Sequence, residues 1–155
     1  MVEIERKFLV QSTDFIKLAY QHDKIKQGYL SKDPARTVRI RIKNNKSFIT
    51  IKGASNASGM SRYEWEKELP LQEGIALLKL ALPVVIEKTR YLVKHQGFIF
   101  EVDVFEGEHQ GLIIAEVELE HEHVQIELPP WIGKEVTGDP RYYNASLSSI
   151  KEKNT

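Results

Sequence analysis

Apolar and ionic residues alternate with a period of two through residues 1–10, where Val2, Ile4, Phe8 and Val10 share one face and Glu3, Glu5 and Lys7 the other, with Arg6 the exception. That is the pattern of a strand with one apolar and one ionic face. It recurs along the chain. Residues 37–43 set Thr37, Arg39, Arg41 and Lys43 against Val38, Ile40 and Ile42, and residues 46–52 set Phe48, Thr50 and Lys52 against Ser47, Ile49 and Ile51. In 62–69, Arg62, Glu64, Glu66 and Glu68 oppose Tyr63, Trp65, Lys67 and Leu69. In 84–94, Ile86, Lys88, Arg90 and Leu92 oppose Glu87, Thr89, Tyr91 and Val93. Residues 98–105 place Glu101 and Asp103 opposite Phe100, Val102 and Val104, and 112–121 alternate Glu116, Glu118 and Glu120 with Ala115, Val117 and Leu119. With 25–30, which carries Tyr29, these make eight predicted strands.

Turn chemistry separates them: Asp33-Pro34, Asn44-Asn45, Gly97 and the stretch 106–111. The glycine- and serine-rich 53–61 reads as a mobile loop. Three helices are predicted. Residues 13–22 carry Phe15, Ile16, Leu18 and Ala19 behind Thr13 or Asp14; residues 70–82 carry a stripe of Ile75, Leu77, Leu78, Ala81 and Leu82 ahead of Pro83; and 144–151 starts at Asn144 as its cap. Neither an internal repeat nor a linker divides the chain, so residues 1–155 are expected to form a single domain.

Composition narrows the chemistry. Lysine plus arginine balance aspartate plus glutamate at 22 each, so no net field favours nucleic acid or an acidic membrane surface, and no partner of either kind is expected. Cysteine is absent, which excludes disulfides, thiolate metal sites and a cysteine nucleophile and suits a reducing compartment. Glu3 and Glu5 interrupt any apolar leader, and a soluble, cytoplasmic protein is expected.

Eight two-faced strands and few helices allow a sandwich with its ionic faces in water, or a closed barrel with a polar lumen and the apolar faces covered outside. The barrel is favoured because amphipathic helices need an apolar sheet surface, and because a dense row of glutamates on 115–119 is unfavourable unless cations meet it. The expectation is a mainly β (α+β) fold: an eight-stranded antiparallel β-barrel tunnel with a few covering helices. Its lumen would hold the acids Glu3, Glu5, Glu64, Glu66, Glu101, Asp103, Glu116 and Glu118 and the bases Lys7, Arg39, Arg41, Lys52, Arg62, Lys88 and Arg90. Carboxylates suit hard cations such as Mg2+ or Mn2+, and guanidinium forks and ammonium groups suit phosphate oxygens. A ladder of inter-strand salt bridges is the alternative for any one pair.

Glu3-Ile4-Glu5-Arg6-Lys7 matches the Glu-x-Glu-x-Lys motif of the CYTH superfamily, the triphosphate tunnel metalloenzymes. The resemblance continues through Arg39-x-Arg41, Thr50-x-Lys52, Tyr63-Glu64-x-Glu66, Glu87-Lys88-Thr89-Arg90-Tyr91, Glu101-x-Asp103-x-Phe105, Glu116-x-Glu118 and the segment from Glu135-Val136-Thr137 to Asn144. It implies a metal-dependent enzyme acting on a small-molecule triphosphate. Carried over by residue, Glu3, Glu5, Asp103, Glu116 and Glu118, with Glu64, Glu66 and Glu101, are expected to hold Mg2+ or Mn2+. Lys7, Arg39, Arg41, Lys52, Lys88 and Arg90 are expected to bind phosphate, and Arg141 to close one mouth. Glu5, and Lys88 beside Tyr29, are candidates for positioning or activating the attacking water.

The short chain and its EIERKFLV opening look most like small bacterial members that hydrolyse inorganic tripolyphosphate. Hydrolysis of nucleoside or thiamine triphosphate, a class IV-type adenylate cyclase and a non-catalytic polyphosphate-binding module stay open, and a homodimer is compatible with the fold. His121-Glu122-His123 reads as surface rather than as a metal site, and no Gly-x-x-x-x-Gly-Lys loop is present.

Overall fold

The computed structural model describes residues 1–81 and 83–147; Leu82 of the expected helical stripe and the end of the expected terminal helix at Lys151 lie outside the described residues. Nine strands are described: β1 (Val2–Val10), β2 (Gln21–Ser31), β3 (Arg36–Lys43), β4 (Lys46–Gly53), β5 (Ser61–Leu69), β6 (Ile86–His95), β7 (Phe98–Phe105), β8 (Ile113–Glu118) and β9 (Ile132–Glu135). Three α-helices accompany them: α1 (Phe15–Leu18), α2 (Leu71–Leu78) and α3 (Asn144–Leu147). The sheet runs β5-β4-β3-β2-β6-β7-β8-β1-β9, and a further β1–β5 pairing closes the first eight of these into a barrel. Every pairing is antiparallel.

β1 is the seam. Its middle pairs with β8 from Glu5↔Glu118 to Leu9↔Ile114, while its other edge meets β5 over Val2, Glu3 and Ile4 and β9 over Phe8 and Val10. The ninth strand was not expected. It is four residues long, follows Pro129-Pro130 and shows no alternation, so its order comes from pairing with β1. It also explains Arg6: the guanidinium faces out and makes two bonds of 2.9 Å to Glu135 of β9, stacked over Phe8 at 5.1 Å.

The larger apolar core lies outside the barrel wall. Phe8, Val93, Phe100, Val102, Ala115 and Val117 come from the outward faces of β1, β6, β7 and β8 and pack with Phe15 of α1 and Trp131. Phe15 and Phe100 lie 5.6 and 5.8 Å from the Trp131 ring. A smaller cluster, Ile86, Phe105, Ile114 and Leu147, comes from the inward faces of β6, β7 and β8 together with α3, and stops one end of the lumen with apolar side chains.

Two predicted helices differ from those observed. The first shrinks from 13–22 to four residues because Gln21, His22 and Asp23 join β2 and pair with Leu92, Tyr91 and Arg90. The second ends at Leu78 and turns Gly74 and Leu78, rather than Ile75, toward the barrel. Gly74 allows this, since a Cβ there would stand 2.2 Å from that of Ser47. Asn44 and Asn45, with φ of 50° and 67°, make the tight β3–β4 hairpin. Among the described residues no helix is long and apolar enough to cross a membrane.

Candidate active site

Odd residues of β1, β2, β3 and β7 and even residues of β4, β5, β6 and β8 point inward, because the pairing register holds one parity on each strand's lumen face. The result is a cavity of about 640 Å³ lined by Glu3, Glu5, Lys7, Tyr29, Arg39, Arg41, Lys52, Arg62, Glu64, Glu66, Arg90, Glu101, Glu116 and Glu118, among others. Thus the register brings together most of the residues singled out in the sequence.

The carboxylates crowd one another. Burial, then Glu116 and Glu3, push the Glu5 carboxyl up to about 8 against the opposing pull of Lys7 and Lys52. Glu118 is raised by burial and then by Glu3, Glu101 and Glu64, and Glu64 by burial and then by Glu3. Lys52 is the cation among them, 2.9 Å from Glu3 and 3.8 Å from Glu64.

The cations are crowded as well. Arg41 donates from Nε to the neutral amide oxygen of Gln27 at 2.9 Å. Burial, then Arg39 and Arg90, push its guanidinium down to about 9. A guanidinium keeps its proton in proteins, so the downward push reflects a buried cation with two cationic neighbours, a setting that an anion would favour. Arg39 donates from Nη2 to Thr50 at 3.1 Å, but its buried Nε has no partner among the described residues. Lys7 is held by Glu116 at 3.2 Å and donates to the Tyr142 carbonyl at 3.2 Å.

Asp103, Lys88 and Arg90 form a buried triad. Arg90 donates to both oxygens of Asp103, at 2.8 and 3.0 Å, and Lys88 Nζ lies 2.7 Å from Oδ2. Although burial favours the neutral acid, Arg90 and Lys88 outweigh it and hold Asp103 well below the usual carboxylate range. For Lys88, burial exceeds the help of Asp103, and the amine is pushed down to about 7. Burial raises Glu116 too, but Lys7 and Arg90 win and set it near 2.

Three of the expected site residues, Asp103, Lys88 and Arg141, lie outside the cavity lining. Asp103 lies behind the cavity lining with both oxygens bound by cations, as the counter-ion of Arg90 and Lys88. Lys88 is fully buried with its ammonium on Asp103 and on Asn144 Oδ1 at 2.9 Å, while Tyr29 pairs across the sheet with Arg39; the two do not form a unit facing the lumen. Arg141 lies outside the cavity lining, bound to Asp139 at 2.7 Å, and does not close the mouth. Two residues escaped the sequence reading. Gln27 lies on the inward face of β2 but is uncharged, and Asn144, expected as a helix cap and as the end of a family-resembling segment but given no site role, accepts from both Lys88 and Gln27.

The donor set fits a divalent cation. Glu3, Glu5, Glu64 and Glu118 are hard oxygen ligands whose mutual repulsion such an ion would relieve. Among the described residues no three acidic or histidine groups form a ready cage. Mg2+ and Mn2+ do not require one, since magnesium keeps several waters and is held by one or two carboxylates together with substrate phosphates.

The CYTH domain model matches residues 1–148. The chain belongs to the CYTH family. This CYTH chain is 45% identical over 153 residues to the inorganic triphosphatase of Acetivibrio thermocellus, covering 98% of this chain and 96% of that one. It is 37% identical over 153 residues to the inorganic triphosphatase of Nitrosomonas europaea, with 96% and 97% covered. The crystal structure of the inorganic triphosphatase NE1496 superposes with a TM-score of 0.66 at 33% identity, covering 94% of this chain and 97% of that one.

Proposed function

We propose that this chain is a divalent-metal-dependent triphosphatase that hydrolyses inorganic tripolyphosphate to pyrophosphate and phosphate, and that residues 1–155 act as one domain in the cytoplasm. One observation carries the reading: a single cavity is lined both by the carboxylates Glu3, Glu5, Glu64 and Glu118 and by the cations Lys7, Arg39, Arg41, Lys52 and Arg90. A metal-phosphate complex satisfies both. The curated relatives and the NE1496 structure, all inorganic triphosphatases, support it.

In this reading Glu3, Glu5, Glu64 and Glu118 hold Mg2+ or Mn2+, with Glu66, Glu101 and Glu116 on the surrounding wall. The ion, when bound, neutralises phosphate oxygens and polarises the phosphorus centre under attack. Lys7, Arg39, Arg41, Lys52 and Arg90 grip the phosphate chain, and the orphan Nε of Arg39 gains an acceptor. Tyr29, buried beside the lumen, adds a hydroxyl donor. The lumen carboxylates orient a water in line with the terminal phosphorus: its oxygen forms the new P–O bond, its proton passes to a lumen carboxylate, the bond to the bridging oxygen breaks, and pyrophosphate leaves with the electron pair. Lys88 acts from behind the wall, holding Asp103 and Asn144.

Phosphate release from tripolyphosphate, ATP and thiamine triphosphate, each with Mg2+, Mn2+ or a chelator, tests this. Metal-dependent release from tripolyphosphate above the other two is expected. No release from any of them, with tight tripolyphosphate binding by calorimetry, would make the chain a binding module instead.

A further inference from the structure

Residues 54–60 join β4 to β5 at the tunnel mouth, and Ala54, Ser55, Gly59 and Met60 line the cavity there. The composition of this loop argues for disorder, because glycine and serine offer little packing and lose much entropy on being fixed. The loop is nonetheless tied down by one carboxylate. Glu122, outside the cavity lining on the segment after β8, accepts from Asn56 Nδ2 at 2.7 Å, from Ser58 Oγ at 3.0 Å and from Ser61 Oγ. Ser61, then Asn56 and Ser58, hold the Glu122 carboxyl below the ordinary carboxylate range, so the acceptor is ionised at neutral pH.

Two further contacts carry that restraint into the site. Gly59 and Gly138, both with φ of +78°, lie back to back, and a Cβ on Gly59 would stand 2.5 Å from Gly138 Cα. The Met60 carbonyl accepts the backbone N–H of Glu5 at 3.0 Å. The loop that Glu122 holds therefore lines the cavity on one side and bonds to the backbone of Glu5 on the other. Pro34 of the β2–β3 turn lines the same cavity. A bare phosphate chain is slender and unbranched, whereas a nucleoside attached to it carries a base and sugar that these lining residues would have to accommodate.

We propose that Glu122 is a positioning and specificity-determining residue: its carboxylate latches the 54–60 loop over the rim, so that the tunnel takes tripolyphosphate in preference to a nucleoside triphosphate. This rests on the triphosphatase reading above. The latch is built from side chains of one loop and one acid, and none of its members is a lumen group.

The test uses the full chain with Glu122→Ala and Glu122→Gln, measuring amide hydrogen exchange across 55–61, Tm, and kcat and KM for tripolyphosphate and ATP with Mg2+. In Glu122→Ala, exchange in the loop is expected to quicken about tenfold or more while Tm stays within a few degrees. The ATP-to-tripolyphosphate ratio of kcat/KM is expected to rise about fivefold or more, mainly through KM for ATP. Glu122→Gln keeps one acceptor oxygen and should fall between the two. Unchanged exchange overturns the latch, and a loosened loop with a ratio within about twofold of the parent overturns its role in specificity. Should the parent chain hydrolyse neither substrate, the triphosphatase reading fails by itself. The ratio is then taken from the two dissociation constants, where a shift supports the latch and its absence overturns it.

Discussion

Two carboxylates on neighbouring strands, Glu118 of β8 and Asp103 of β7, illustrate how environment assigns roles to identical chemistry. Glu118 faces the cavity among other acids and is pushed upward, whereas Asp103 sits behind the wall between Lys88 and Arg90 and is held down. Glu118→Gln should therefore cost metal-dependent phosphate release about a hundredfold while leaving the unfolding curve in place. Asp103→Asn should do the opposite first: it leaves two buried cations without their counter-ion, so urea unfolding should show a loss of about 3–5 kcal/mol. Equal loss of stability in the two variants would contradict this division. The sequence placed both acids on the lumen face by parity alone. It could not say which one a cation would already occupy, because Lys88 and Arg90 come from β6 and reach Asp103 only through the β6–β7 register.

At the scale of elements, α2 approaches the barrel through a glycine. Alanine is the better helix former by about 1 kcal/mol, yet Gly74→Ala would drive a methyl into the buried Ser47, whose Oγ donates to the Leu69 and Pro70 carbonyls. The clash should win, because Ser47 is fixed in the β3–β4–β5 ladder, and denaturant unfolding should record a net loss of about 1–3 kcal/mol. The short β9 is anchored differently. The hydrogen bond from Arg6 comes first in holding Glu135 below its ordinary value. A carboxyl lowered in the folded state contributes stability above the unfolded carboxylate range and loses it as pH falls through the folded value. Amide protection at the Val10↔Ile132 pairing should thus weaken on acidification, and do so less in Arg6→Met, where the pair is already gone. The strands of the barrel were legible in the sequence because each carries its own alternation. β9 and the shortened α1 were not, since their extents are set by β1 and β6 rather than by their own residues.

For the whole molecule, the proposed function makes the lumen one electrostatic system in which a bound metal and a bound phosphate chain would each relieve a repulsion. Mg2+ and tripolyphosphate together should raise Tm by more than the sum of their separate effects, and by several degrees when each is at about a hundred times its dissociation constant. Simple additivity in a thermal scan would show that the acidic and the basic side chains of the lumen act independently. The sequence by itself determined the two faces of each strand, the parity that sends charge to one side, and the family motif, because all of these are local or linear properties of the chain. Closure was decided by the tertiary structure: β1 must meet both β5 and β8 before the ionic faces enclose a lumen. The same closure sorts the charges into carboxylates that face the cavity, counter-ions buried behind its wall and a carboxylate, Glu122, bonded to the 54–60 loop, since each of those settings depends on neighbours from distant parts of the chain. Arg141 carries the same charge as Arg41, yet it finishes on the surface beside Asp139, a difference that only folding could make.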